Sequence, residues 1–313
     1  MEYVRKWVQV IFGFLTNGYW AFPFTREIYQ GPLKVICAPG LNCYSCPAAT
    51  TYCIIGSIQQ LLANIRLSLD GGQYFVGLYV VGSAGVLGGM FGRMICGWAC
   101  PFGFVQELIH KIPSPKFAIP RPLRYVKLFL LVVFVILLPA FAIDEFGAGK
   151  TWFCEYICPA GTFEAGLPMI FLQPGLRSTL GLLFLNKFVI LVLFIVWSVF
   201  ASRPFCRVGC PLGAFYGLFS RFRVVRLRWD EQRCTHCRAC HSVCPMGVKF
   251  DETPEDMECI TCMKCMTKAC GYDAIYLEVG GVPVRAGRYA APRLTPVIEG
   301  DVDGRIDPAG FNE

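Results

Sequence analysis

Cys234, Cys237, Cys240, Cys244 and Pro245 form a C-x2-C-x2-C-x3-C-P run, and Cys259, Cys262, Cys265 and Cys270 repeat it with one extra residue before the last thiol. Three closely spaced thiolates can wrap an iron–sulfur cubane while a fourth, further along, reaches a neighbouring one. The spacing therefore groups Cys234, Cys237, Cys240 and Cys270 around one [4Fe-4S] cluster, and Cys259, Cys262, Cys265 and Cys244 around a second. Gly271 stands where a second Pro is usual, which loosens the cluster held by Cys270. Structural zinc and disulfides are the rival uses of these thiols, and a reducing compartment disfavours disulfides. The string from Cys237 to His241 has the form of a c-type haem attachment site, but both of its thiols already belong to the cluster register.

Two further pairs, Cys96/Cys100 and Cys206/Cys210, share a C-x3-C-P-x-G frame. Four thiolates from two like frames would hold one more [4Fe-4S] cluster, with the Pro and Gly breaking the helix so that backbone N–H groups turn toward sulfur. Four reduced core cysteines are the alternative, but they leave the shared frame unexplained.

The elements that must position these thiols are apolar. Of 313 residues 55% are hydrophobic and only 16% charged, with a mean hydropathy of +0.49. An ordinary soluble domain carries about a quarter charged residues, so membrane insertion is expected. The three histidines, His110, His236 and His241, are too few and too clustered for a di-haem wire. No phosphate-binding glycine loop, H-E-x-x-H helix or dinucleotide fingerprint is present. Four segments read as membrane helices, Tyr3 to Phe22, Tyr74 to Gly92, Arg124 to Ile143 and Leu183 to Ala201. Lys111, Lys116, Arg121, Arg124 and Lys127 precede the third, and Arg221, Arg223, Arg226, Arg228 and Arg233 follow the fourth. Both regions are expected to be cytoplasmic, with both termini inside a bacterial or archaeal cell membrane. The loop with Asp144, Glu145, Glu155 and Glu164 faces outward. This topology accounts for the net charge of +7 without nucleic acid.

A repeat follows each span: CIIGSIQ from Cys53, CPFGFVQ from Cys100, CPAGTFE from Cys158 and CPLGAFY from Cys210. The expected fold is an all-α membrane domain over 1–228, with four transmembrane helices in two pseudo-symmetric halves plus half-inserted helices. A small α+β two-cluster domain over 229–280 and an extended arm over 281–313 complete it. The repeat makes Cys53 and Cys158 the counterparts of Cys100 and Cys210, and Cys154 that of Cys96, but Ala49 occupies the corresponding place in the first copy. Cys46 is expected to substitute, giving an outer [4Fe-4S] cluster on Cys46, Cys53, Cys154 and Cys158, with Cys37 and Cys43 left over. A cluster on Cys37, Cys43, Cys46 and Cys53, or disulfides in an oxidising compartment, stay open.

The stretches CGWACPFGFVQELI (96–109) and CRVGCPLGAFYGLF (206–219), followed by the two-cluster domain, resemble the NapH/NosR-type membrane polyferredoxins over about residues 35–275. The Cys43-Tyr44-Ser45-Cys46-Pro47 stretch with Cys53 looks like that family's first cysteine-rich loop, although Ile54 stands where Pro is common. The resemblance implies an electron-transfer subunit of a redox complex, working between a quinol pool or cytoplasmic donors and enzymes outside. The expected function is a transmembrane electron relay that does no bond chemistry alone. A quinol dehydrogenase subunit, with quinone as partner and His110 and Glu107 as the groups to test for proton release, is one alternative. An assembly or regulatory iron–sulfur protein is another.

Overall fold

A computed structural model describes residues 2–71, 77–144 and 148–284. Most of the expected C-terminal arm, residues 285–313, and the start of the second apolar segment lie outside the described residues. The chain is mainly helical. Helix α1 (Glu2–Thr16) is followed by a loop containing a short parallel pair, β1 (Cys37–Ala38) and β2 (Tyr52–Cys53), and then by α2 (Ile54–Ala63). Next come α3 (Leu78–Phe91), α4 (Pro101–Ile109), α5 (Arg121–Phe141), a helical stretch α6 over 159–172, α7 (Leu182–Phe200) and α8 (Pro211–Leu218).

Among the described residues, two helices, α5 with 21 residues and α7 with 19, are long and apolar enough to cross a bilayer. The other two expected spans come out shorter, at 15 residues for α1 and 14 for α3. At about 1.5 Å per residue neither reaches the ~30 Å of a hydrocarbon core. The stops have local causes. The Thr16 hydroxyl donates to the Phe12 carbonyl at 2.8 Å, and the Asn17 amide to that of Gly13 at 3.1 Å. From the following loop, Thr50 and Asn42 donate to the freed Thr16 carbonyl. Helix α3 begins after Gly77 at φ 95° and ends at Gly92 at φ 53°, both left-handed conformations that suit glycine.

All four of these helices turn large apolar side chains away from the protein. Trp7, Ile11 and Phe14 on α1, Tyr79, Val81 and Val86 on α3, Phe129, Val132 and Ile136 on α5, and Leu185, Val189 and Leu193 on α7 are exposed. The core lies on their opposite faces and is rich in cysteine sulfur and phenylalanine.

A three-stranded antiparallel sheet, β3 (Val225–Trp229), β4 (Ile275–Val279) and β5 (Val282–Val284), clasps the C-terminal cysteine-rich segment at its two ends, with Leu227 paired to Leu277.

Candidate metal centres

The C-x3-C-P frames share one local structure. The Cys100 N–H reaches back to the Ile95 carbonyl (3.2 Å), that of Cys158 to Phe153 (2.9 Å) and that of Cys210 to Phe205 (2.9 Å). Each is a turn one residue wider than an α-turn. The backbone then extends, and Pro101, Pro159 or Pro211 opens the next helix, where its missing N–H costs nothing. The cysteine thus becomes the N-cap. The Gly213 N–H points at the Cys210 sulfur at 3.3 Å. The amides of Gly103, Gly161 and Gly56 serve Cys100, Cys158 and Cys53 in the same way. A helix N-terminus favours negative charge at such a sulfur.

Cys96, Cys100, Cys206 and Cys210, the inner set, are buried together, each within electrostatic reach of the others. Their surroundings are reciprocal. Arg93 lies three residues before Cys96 and donates to the Cys206 carbonyl at 2.9 Å, whereas Arg203 lies three before Cys206 and donates to the Cys96 carbonyl at 2.7 Å. Both guanidinium groups pass beside a motif glycine. A Cβ on Gly213 would sit 3.1 Å from Arg93, and one on Gly103 would sit 3.3 Å from Arg203. Gln106 donates to the Cys206 sulfur at 3.3 Å and accepts from the Phe205 N–H. Both arginines are paired, Arg203 and Arg5 with Glu107, and Arg93 and Lys127 with Glu258. Glu107 is thus held between two cations. His110 Nδ1 lies 3.2 Å from the Ser198 carbonyl, which accepts from it in the Nδ1–H form, and burial together with Lys116 keeps its pKa below the usual histidine value.

The outer thiols repeat this plan with different residues. Gln59 donates to the Cys154 sulfur at 3.1 Å and accepts from the Phe153 N–H, matching Gln106. Lys187 donates to the Cys154 carbonyl and Lys34 to that of Ala49, the two places arginine serves in the inner set. Cys53, Cys154 and Cys158 come together with Cys43. Burial, then the neighbouring Cys158 and Glu164, push the Cys43 thiol up to about 12. Cys46 lies in a small cluster with Ala49 and Ala165, against which Cys43 also packs, and its sulfur is 3.8 Å from Asn17. Cys37 is buried against β2. A cavity of about 1120 Å³ opens beside this set, lined by Cys43, Cys53, Cys154 and Cys158 and by Leu61, Val80, Met169, Gln60 and Asn64.

In the C-terminal segment, Cys234, Cys237, Cys240 and Cys270 line one small cavity with Trp229. Cys244, Cys259, Cys262 and Cys265 gather in a second group, where burial and then Cys262 raise the Cys244 thiol to about 11. His241 is bound to Asp251 beside Cys240. The second group docks on the inner set. Arg93 donates to the Met257 carbonyl, Trp98 to that of Thr261 and Arg223 to that of Cys259, each at 3.0 Å. A Cβ on Gly97 would come within 2.6 Å of the Ile260 carbonyl, so only glycine permits this approach.

Each group supplies four sulfurs, several of them facing N–H donors; the inner set is fully buried, whereas in the group of Cys234, Cys240 and Cys270 the fourth thiol, Cys237, is exposed. Four thiolates so close repel one another unless cations lie between them. This donor set suits [4Fe-4S] clusters. The signals missed in the sequence are Arg93, Arg203, Lys34 and Lys187. For the two arginines the cue is their shared offset from Cys96 and Cys206; the lysines share none.

Comparisons with known proteins agree with this chemistry. Residues 75–120, 127–167 and 184–230 match a family described as a 4Fe-4S binding domain, and 227–248 match a second family of that description. An uncharacterised protein of Methanocaldococcus jannaschii is 32% identical over 230 residues, 68% of this chain and 82% of its own length. The ferredoxin-type protein NapH of Escherichia coli is 26% identical over 56% of this chain and 58% of its own. The methylamine utilization ferredoxin-type protein MauN of Paracoccus denitrificans is 30% identical over 54% of this chain and 53% of its own. No solved structure matches the chain.

Proposed function

Because the chain belongs to the family of membrane-associated ferredoxin-type 4Fe-4S proteins, we propose that it is the electron-transfer subunit of a membrane oxidoreductase, relaying electrons between the two sides of the bilayer. Its iron–sulfur electron-transfer role rests on the 4Fe-4S domains and on the ferredoxin-type relatives. Bound clusters supply one-electron carriers. We assign their ligands as Cys234, Cys237, Cys240 and Cys270; Cys244, Cys259, Cys262 and Cys265; Cys96, Cys100, Cys206 and Cys210; and Cys43, Cys53, Cys154 and Cys158, with Cys43 in the place expected of Cys46. The observation that carries the proposal is the unbroken contact from the C-terminal thiols through residues 257–261 to the inner set and onward to the outer one.

The exposed apolar faces of α1, α3, α5 and α7 support four membrane-embedded helices, with the two short ones tilted or partly inserted. The basic segments before α5 and after α7 support a cytoplasmic C-terminal domain and an outward-facing set around Cys158. MauN, named for methylamine utilization, and the ferredoxin-type NapH support redox subunits as partners. The test is anaerobic purification followed by iron and acid-labile sulfide analysis. Four clusters require about 16 Fe per chain, and about 12 would remove one of them.

The large cavity beside the outer set favours a second reading, in which quinol delivers electrons there. Quinol analogues that reduce the purified protein, and are blocked by substitutions at Leu61 or Val80, would support it over entry at the C-terminal domain.

A further inference from the structure

The inner and outer thiol sets lie on either side of the buried Tyr216 side chain, which is close to Cys96 and Cys100 of the one and to Cys53 of the other. The loop that leaves β1 dives between them, and Ala38, Leu41 and Asn42 are all buried. Gly40 lies against the inner set, where a Cβ would come within 3.0 Å of the Cys100 Cα. The Leu41 amide faces the Cys100 sulfur, and the next amide, that of Asn42, faces the Cys53 sulfur of the outer set. One residue further on is Cys43, itself among the outer thiols. We infer that Gly40–Leu41–Asn42 is the electronic bridge between the inner and outer sets, with Tyr216 as the positioning residue that holds it in place.

Two anchors fix the segment. The Tyr216 hydroxyl, on a fully buried side chain, donates to the Pro39 carbonyl at 2.9 Å. The Asn42 side chain donates to the Thr16 carbonyl at 3.1 Å and to the Thr51 hydroxyl at 3.0 Å, tying the segment to the end of α1. The path then runs from the Cys100 sulfur through an N–H contact to the Leu41 backbone, along covalent bonds through Asn42, and to the Cys43 sulfur. Electronic coupling decays more steeply across a van der Waals gap than along covalent and hydrogen bonds, so this is the favoured route. With clusters held by both sets, one electron would pass along this segment, oxidising the inner group as the outer one is reduced; no bond would break and no proton would have to move. The packing also explains why the first repeat copy lacks a C-x3-C pair. Its missing thiol comes from Cys43, at the end of the bridge.

This inference rests on the reading of clusters in both sets, and the experiment separates the two. Tyr216→Phe and Gly40→Ala proteins are purified anaerobically and their iron compared with that of the wild type. The proteins are then reconstituted in sealed vesicles, dithionite is supplied only on the side of the C-terminal domain, and freeze-quenched samples follow reduction of the inner and outer sets by electron paramagnetic resonance. The expected result is wild-type iron, an unchanged inner signal and a several-fold slower appearance of the outer one. Wild-type kinetics of the outer signal in Tyr216→Phe, at full iron, would overturn the bridge. Tyr216→Phe removes one oxygen and decides the matter even where Gly40→Ala loads poorly. A wild-type protein that shows no outer signal at all, with iron near three clusters, defeats the underlying reading instead.

Discussion

Gln106 and Gln59 each give an amide N–H to a sulfur and take a backbone N–H from the residue before it. The N–H stabilises the more negative, reduced form of a sulfur-bound centre. Replacing Gln106 with Leu should therefore lower the potential of the inner set. Loss of about 1 kcal/mol of hydrogen bonding corresponds to a shift on the order of 40 mV for one electron, readable in a redox titration. At the outer set, Cys43→Ser should cost about 4 Fe per chain, whereas Cys46→Ser should leave the iron count unchanged. The opposite pattern would restore Cys46 to the ligand set. The sequence groups the inner and C-terminal thiols by spacing, and the structure gathers the same thiols. The spacing points to Cys46 in the first copy, whereas the structure brings Cys43, ten residues upstream of Cys53, next to Cys53, Cys154 and Cys158; our assignment of Cys43 is the proposal that these two substitutions test.

At the scale of elements, buried charge ties the C-terminal domain to the helices. Glu258 lies between Arg93, at 2.6 Å, and Lys127. Glu258→Ala would leave two buried cations unpaired, a change that costs about 3–5 kcal/mol. The expected consequence is a C-terminal domain released to mild proteolysis, while Glu258→Gln, which keeps acceptor and volume, falls between. A second tie joins α1 to the segment after Cys262, where Glu2 meets Lys264 at 3.3 Å and Lys268 at 2.5 Å. Burial works against the charge of Glu2, but the Lys268 bond and the charges of Lys264, Lys268 and Lys6 outweigh it and hold its pKa at about 2, against an ordinary 4.5. A depressed carboxyl contributes stability that is fully present above its unfolded pKa and is lost as pH falls through the folded one. Hydrogen-exchange protection of 264–269, corrected for intrinsic rate, should thus hold from pH 8 to 5 and decline below 4.5. In Glu2→Gln the reduced protection should already be present at pH 7. Helices α5 and α7 are legible from their long, predominantly apolar runs. The short α1 and α3 are not, because Thr16, Asn17, Gly77 and Gly92 end them through side-chain caps and left-handed turns.

For the whole molecule, the repeat makes a sequence pattern into a symmetry of function. Copies one and three meet at the outer set and copies two and four at the inner one, each through a glutamine that crosses to its partner. The inner set is flanked by two arginines and the outer by two lysines, so the same backbone plan places two cations beside each set. Our proposal is that this plan moves electrons from one side of the membrane to the other. The most direct test is to reconstitute it anaerobically in sealed vesicles with a membrane-impermeant reductant on one side and an impermeant, coloured one-electron acceptor on the other. The account predicts acceptor reduction that depends on the protein and is abolished by Cys43→Ser or Cys206→Ser. Fully loaded protein that leaves the acceptor oxidised would contradict it.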